Sequence, residues 1–163
     1  MPNHCHNRVT IYGSGNDTDE TRAQIAKLKQ IFEDENIFTQ IIPEPDWLNT
    51  PLMSSEVKFI GQERGKVGEL PMEVEGDFGI TRRFQSTGHA DDRWYDWRVQ
   101  NWDTKWDAYD VVVTDDDPES VEIEFNTAWS PPEAICHKIR EDYPDVSVSW
   151  FYDEPGCEIA GYL

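Results

Sequence analysis

The segment NWDTKWD, residues 101–107, sets one lysine between two indoles and two carboxylates. Lys105 can lie over the face of Trp102 or Trp106, a cation–π contact of roughly 0.5–2 kcal/mol. Asp103 and Asp107 can pair with that amine or hold a cation. The bland reading of the same residues is scaffolding: the indoles pack a connecting segment on a sheet, and the lysine satisfies nearby acids. Trp129, in TAWSPP, is also read as packing, with Ser130 as a helix cap. A nucleophilic serine would need an adjacent base and an oxyanion pocket, and the sequence identifies neither. No catalytic residue is expected.

The wider setting is aromatic and anionic. Trp94, Trp97, Trp102 and Trp106 fall within thirteen residues, and an indole seeks one polar partner for its N–H. Between Asp91 and Glu124 there are twelve acids against Arg93, Arg98 and Lys105, a net of −9. The candidate acidic face is Asp91, Asp92, Asp96, Asp110, Asp115, Asp116, Asp117, Glu119, Glu122 and Glu124. Paired carboxylates do chemistry only when they converge in a cleft at a defined separation. Glu122 and Glu124 instead share the wet side of one strand, as a charged stripe does.

Other chemistries are disfavoured by spacing. His4, Cys5, His6, Cys136, His137 and Cys157 are zinc-ligand types, but no CxxC or HxxxH pair anchors them, and neighbours in a strand point to opposite faces. No metal and no cofactor are expected; Cys5 is expected inside, with the histidines outside. Gly13–Ser14–Gly15 follows a strand and precedes a helix without the lysine of a phosphate loop or the third glycine of a dinucleotide fingerprint. A turn is a sufficient account of it.

The whole chain has 163 residues and a formal charge of −19. Such a balance repels phosphates and anionic membranes and favours basic partners; with no basic patch, direct nucleic-acid binding is not expected. The charge serves solubility in any case. A denser arrangement on one face would mimic nucleic acid, whose duplex carries one charge per ~1.7 Å. The longest apolar runs have three residues, for example Val111–Val113, so neither a membrane span nor a secretory segment is expected. Three scattered cysteines then suit a reduced, cytoplasmic location.

The elements that must position these residues are read from periodicity. Val9 and Ile11 alternate in a strand. A helix follows, opened by Asp17 with Glu20 as a capping box, carrying Ile25, Leu28, Ile31 and Phe32, and ending at 34–36. Residues 43–110 read as an elaborated insertion, rich in Pro and Gly in its first part, with short apolar pieces at Val57–Ile60 and Phe78–Ile80. Within it, 91–101 reads as a short helix and NWDTKWD as a turn; a strand starts at Tyr109. Val121, Ile123 and Phe125 alternate in a further strand. Ser130, Pro131 and Glu133 form a helix start, with Ile135 and Ile139 inward. Val146, Val148, Trp150 and Tyr152 alternate again, and CEIAGYL closes a hairpin after EPG. The order predicts a single α+β domain over 1–163: a ferredoxin-like sandwich, helices on one face of an antiparallel sheet.

Three blocks, MPNHCHNRVTIYG, YDWRVQNWDTKWDA and FNTAWSPP, resemble in order the YubB-like family of phage, plasmid and prophage proteins. That resemblance implies a ferredoxin-like core and a mobile-element setting, and it implies no activity. The family usually has Trp where His4 stands and Gly where Asp103 stands. The second departure predicts a turn that tolerates a side chain, or one that uses the tolerance of Asp for left-handed geometry. The combined expectation is a non-enzymatic accessory protein that binds a basic host protein, one that processes nucleic acid or acts in defence. The alternative is a small-ligand binder or minor enzyme with a pocket around Trp102, Lys105, Trp106 and Asp107.

Overall fold

The computed structural model describes residues 3–15, 18–47, 49–50, 72–76, 79–83 and 93–163. In chain order the elements are β1 (His4–Gly13), α1 (Asp19–Glu33), α2 (Ile37–Ile41), β2 (Met72–Gly76), β3 (Gly79–Arg83) and α3 (Arg93–Trp102). They continue with β4 (Tyr109–Asp117), β5 (Ser120–Ala128), α4 (Glu133–Asp142), β6 (Val146–Glu154) and β7 (Ile159–Tyr162). The chain divides into two compact units, Met1–Pro43 with Arg98–Leu163, and Glu44–Trp97.

The first unit carries a five-stranded sheet in the order β4-β5-β1-β6-β7, antiparallel at every step. Strands β6-β1-β5-β4 with α1 and α4 make the ferredoxin-like α+β arrangement, and β7 adds a hairpin at one edge. Alternation in β1 turns Cys5, Asn7, Val9 and Ile11 inward and leaves His4, His6 and Arg8 outside. Register then builds rungs: Val9 stands opposite Ile123 on one side and Trp150 on the other. Ile11 likewise stands between Val121 and Val148.

The helices supply the other half of the core. α1 buries Ile25, Leu28, Ile31 and Phe32, and α4 buries Ile135, Cys136 and Ile139. Each fully buried large side chain contributes roughly 1.5–3 kcal/mol. The Phe32 ring meets Phe125 at 5.4 Å and Trp150 at 6.5 Å between centroids. Phe38 of α2 extends the chain of rings from Phe125 to Trp102. One polar thread crosses this core. The Trp150 indole donates to Asn7 Oδ1 at 3.0 Å, and Asn7 Nδ2 donates to Thr127 Oγ1 at 2.9 Å and to the Cys5 carbonyl at 3.0 Å. A buried polar side chain is tolerated because its bonds are made.

Two helix starts differ from the expected ones. Asp17 lies outside the described residues; Thr18 is the N-cap of α1, its side chain accepting from the Thr21 N–H. α4 begins at Glu133 with Pro132 in the cap position and no cap bond from its own side chain. The Ser130–Glu133 capping box is absent, because the Ser130 hydroxyl donates to the Asp103 carbonyl, the Glu133 N–H goes to the Pro131 carbonyl, and the Asp103 carboxylate takes the next N–H, that of Ala134.

In the second unit β2 and β3 pair as an antiparallel hairpin, Met72 opposite Arg83 and Gly76 opposite Gly79. Gly79 and Ile80 thus belong to a strand, while Phe78 and Val57–Ile60 lie outside the described residues. The largely buried Arg93 donates to the carbonyls of Thr50 and Trp47, both at 2.8 Å, and its guanidinium lies over the Trp47 ring. Trp97 meets the same indole edge-on at 6.4 Å.

Candidate functional site

NWDTKWD straddles the end of α3 and the turn into β4, and its side chains divide sharply. Trp102 is fully buried, donates to the Ile42 carbonyl at 3.0 Å and carries the Arg98 guanidinium over its ring at 4.9 Å. Buried Thr104 donates to the Ala128 carbonyl at 3.0 Å. Asp107 Oδ1 accepts from the backbone N–H of Phe38 at 3.0 Å and of Ala108 at 2.7 Å. Asp103 Oδ2 accepts from Ala134 N–H at 2.8 Å. The segment therefore clasps α2, α4 and the end of β5 together.

Asp103 has φ +62°, the left-handed one of the two geometries considered where the resembling family has glycine. Lys105 places Nζ 4.4 Å from the centre of the Trp106 ring, which is itself exposed. Trp106 in turn meets Tyr109 edge-on, and the Tyr109 hydroxyl lies 2.5 Å from His4 Nδ1. Trp129 is also exposed, with φ +73°, and its backbone N–H donates to the Asn3 carbonyl. A bulky residue there is an outlier held by its surroundings.

The acidic residues are distributed as follows. Asp91 and Asp92 lie outside the described residues. Asp96 sits in the first turn of α3, where a carboxylate favours the helix dipole. The rest line the edge strand β4, its turn and β5. Asp116 pairs with Lys29 at 2.6 Å, Glu119 with Arg22 at 2.7 Å and Glu124 with Arg8 at 2.8 Å. Asp117 accepts the Glu119 N–H in the β4–β5 turn, and Glu122 accepts from Thr114. Asp110 and Asp115 are exposed on β4. Charge on an edge strand also discourages another chain from pairing with it.

Register assembles a second grouping on the sheet face that carries no helix. His6 stands opposite Asn126 of β5 and Asp153 of β6, and Arg8 stands opposite Glu124 and Phe151. Val112 lies opposite Glu124, and an irregularity in β4 between Tyr109 and Val112 brings Asp110, at φ +53°, beside Asn126. Asn126 Nδ2 donates to Asp110 Oδ2 at 3.2 Å. These side chains line a concavity of about 360 Å³. Its ionisable lining is three carboxylates, Asp110, Glu124 and Asp153, one guanidinium, Arg8, and the imidazole of His6. The Phe151 ring is steadied edge-on by Tyr162 at 5.3 Å. Trp102, Lys105, Trp106 and Asp107 are not among its walls.

Sequence reasoning named Asp110 and Glu124, set His6 aside as a surface histidine, and missed Arg8, Asn126, Phe151 and Asp153. The one local signal was Phe151, an aromatic on the wet side of a strand whose alternate residues point inward.

Thiol chemistry has little purchase here. Cys5 and Cys136 are buried, and burial pushes each thiol up to about 11, far from the thiolate that reacts. Among the described residues no cluster of His, Cys, Asp and Glu could hold a metal, and no helix is long and apolar enough to cross a membrane.

Residues 101–163 match the family model described as a ferredoxin-like domain in Api92-like protein. No curated protein matches the sequence. Among solved structures the chain is similar to the protein api92 from Yersinia pseudotuberculosis at 12% identity, over 99% of this chain and 93% of that one, with a TM-score of 0.47.

Proposed function

We propose that this protein is a non-enzymatic binding protein that engages a basic partner through the β4–β5 edge and the open face of its sheet. The observation that carries this reading is the lining of the open-face concavity, where three carboxylates face one guanidinium. With Asp115 and Glu122 paired across the neighbouring strands, the same region continues as an anionic edge. Complementary charge of this kind steers association and selects partners.

The setting inferred from the resemblance is the cytoplasm of a host cell, with the protein an accessory of a phage, plasmid or prophage and the partner a basic host protein that processes nucleic acid or acts in defence. The narrower idea, carboxylates standing in for phosphates, draws on Asp110, Asp115 and Asp117 more than on Asp116, Glu119 and Glu124, which basic residues of the chain already engage. A small-ligand pocket around NWDTKWD draws less support, since Trp102 is buried and Lys105 lies on Trp106.

Affinity capture from host lysate at low ionic strength tests the reading. A basic protein should be retained by the wild type and released as salt rises past the point where the Debye length shortens to about 8–10 Å. Retention of no basic protein at low salt would sink it.

A further inference from the structure

We propose that the open-face concavity is a socket for one arginine side chain of the basic partner. This rests on the reading above and assigns it an anchoring point. Six observations converge on a guanidinium.

The Asp153 carboxylate has no hydrogen-bond or ion-pair partner among the described residues, yet it faces a concavity shared with Asp110 and Glu124. Three carboxylates against the Arg8 guanidinium leave an excess of two negative groups there. The charge is held on three different strands, β4, β5 and β6, so the oxygens surround the space rather than lie along one turn. The chain already sets a guanidinium against this wall: Arg8 Nε donates to Glu124 Oε1 at 2.8 Å while the Arg8 side chain stays 59% exposed.

The apolar lining fits the same group. Phe151 and Val112 offer flat and aliphatic surface between the acids. A guanidinium is planar, weakly hydrated and stacks on aromatic faces while its edge donates in a fork to carboxylates. A lysine amine is a compact, strongly hydrated point charge and uses such a floor poorly. The volume, about 360 Å³, is near the lower end for ligand sites and suits one side chain.

The test uses a fluorescent hexa-arginine peptide and a hexa-lysine peptide, with anisotropy measured on the full chain. Asp153→Asn alters the socket and keeps its shape; Asp115→Asn with Asp117→Asn alters the edge; melting curves confirm that both variants fold. Losing a charge-assisted bond in the socket should weaken hexa-arginine binding about tenfold or more. The edge variant should change it by no more than about threefold, and hexa-lysine should bind the wild type several-fold more weakly than hexa-arginine. Phe151→Leu, which keeps apolar bulk, should narrow that preference.

If Asp153→Asn binds hexa-arginine like the wild type while the edge variant weakens it, the socket is wrong and the basic-partner reading stands. Equal affinity for the two peptides also overturns the socket. If neither peptide binds the wild type at low salt, both fall.

Discussion

Asp103 and Ala134 are joined by a hydrogen bond across 31 residues of sequence, the carboxylate oxygen accepting the helix N–H at 2.8 Å. The same residue holds φ +62° and takes the Ser130 hydroxyl on its carbonyl. One aspartate therefore turns the chain after α3 and caps α4. A borrowed cap of this kind should be worth about 0.5–2 kcal/mol.

Three substitutions separate those two roles. Asp103→Asn keeps an acceptor and tolerates left-handed geometry, so it should melt close to the wild type. Asp103→Gly loses the cap but relaxes the backbone, and should fall slightly. Asp103→Ala loses the cap and keeps the strain, about 1–3 kcal/mol in all, or roughly 2–12 °C for a chain of this size. An alanine variant as stable as the glycine variant would refute the backbone half of the argument.

That pair also marks what could be read from sequence. The sheet was legible because alternation at Val9 and Ile11, Val121 to Phe125, and Val146 to Trp150 is a local signal, and each run proved to be a core-facing strand. Left-handed geometry at Asp103 was one of two readings that the glycine expected in its place allowed. The true partner of Ser130 was not, because local capping rules see three or four residues and this contact spans 27. The concavity was invisible for the same reason: pairing register, not spacing, sets His6 beside Asp153 and Arg8 beside Glu124.

Asn7 should prove essential to the core. Asn7→Leu suits the surrounding apolar side chains but strands the Trp150 N–H, which it now receives at 3.0 Å. An unpaired buried donor costs about 1–3 kcal/mol, a fall of roughly 2–12 °C. Trp150→Phe should also destabilise, through lost volume and an unpaired Asn7 oxygen. The double variant should lose less than the sum, since neither partner is then left unpaired. Strict additivity in denaturant melts would count against this thread.

Cysteine labelling should follow burial. Of the three thiols, Cys5 and Cys136 are buried and pushed up to about 11, whereas Cys157 is exposed. Iodoacetamide at neutral pH should add one group per native chain, at Cys157, and three after denaturation, read by intact mass. Its rate should be slow for an exposed thiol, because the Cys157 thiol is raised by its hydrogen bond to Glu154. Rapid native labelling of Cys5 would show that the sheet opens at that end.

Glu154 gives the chain a specific acid sensitivity. Its side chain is fully buried in the β6–β7 turn, where Oε1 accepts from Gly156 N–H at 3.2 Å and Oε2 from Cys157 N–H at 2.5 Å. The Cys157 thiol, these two amides and the Asn3 side chain all favour the carboxylate and hold it below its ordinary value of 4.5, against the opposing effect of burial. A carboxyl lowered by folding stabilises the native state fully above its unfolded value. As pH falls below about 4.5 the unfolded chain takes up the proton first, and the contribution is lost by the time pH passes the folded value. Glu154→Gln should therefore melt below the wild type at pH 7, and the gap should close as pH is lowered from 4.5 toward 3. Gly156→Ala should destabilise the same turn, because a Cβ there would collide with the Asn3 side chain and crowd Glu154 Oε1. A gap between wild type and Glu154→Gln that stays constant from pH 7 to pH 3 would mean that the carboxylate's charge has no part in holding the turn.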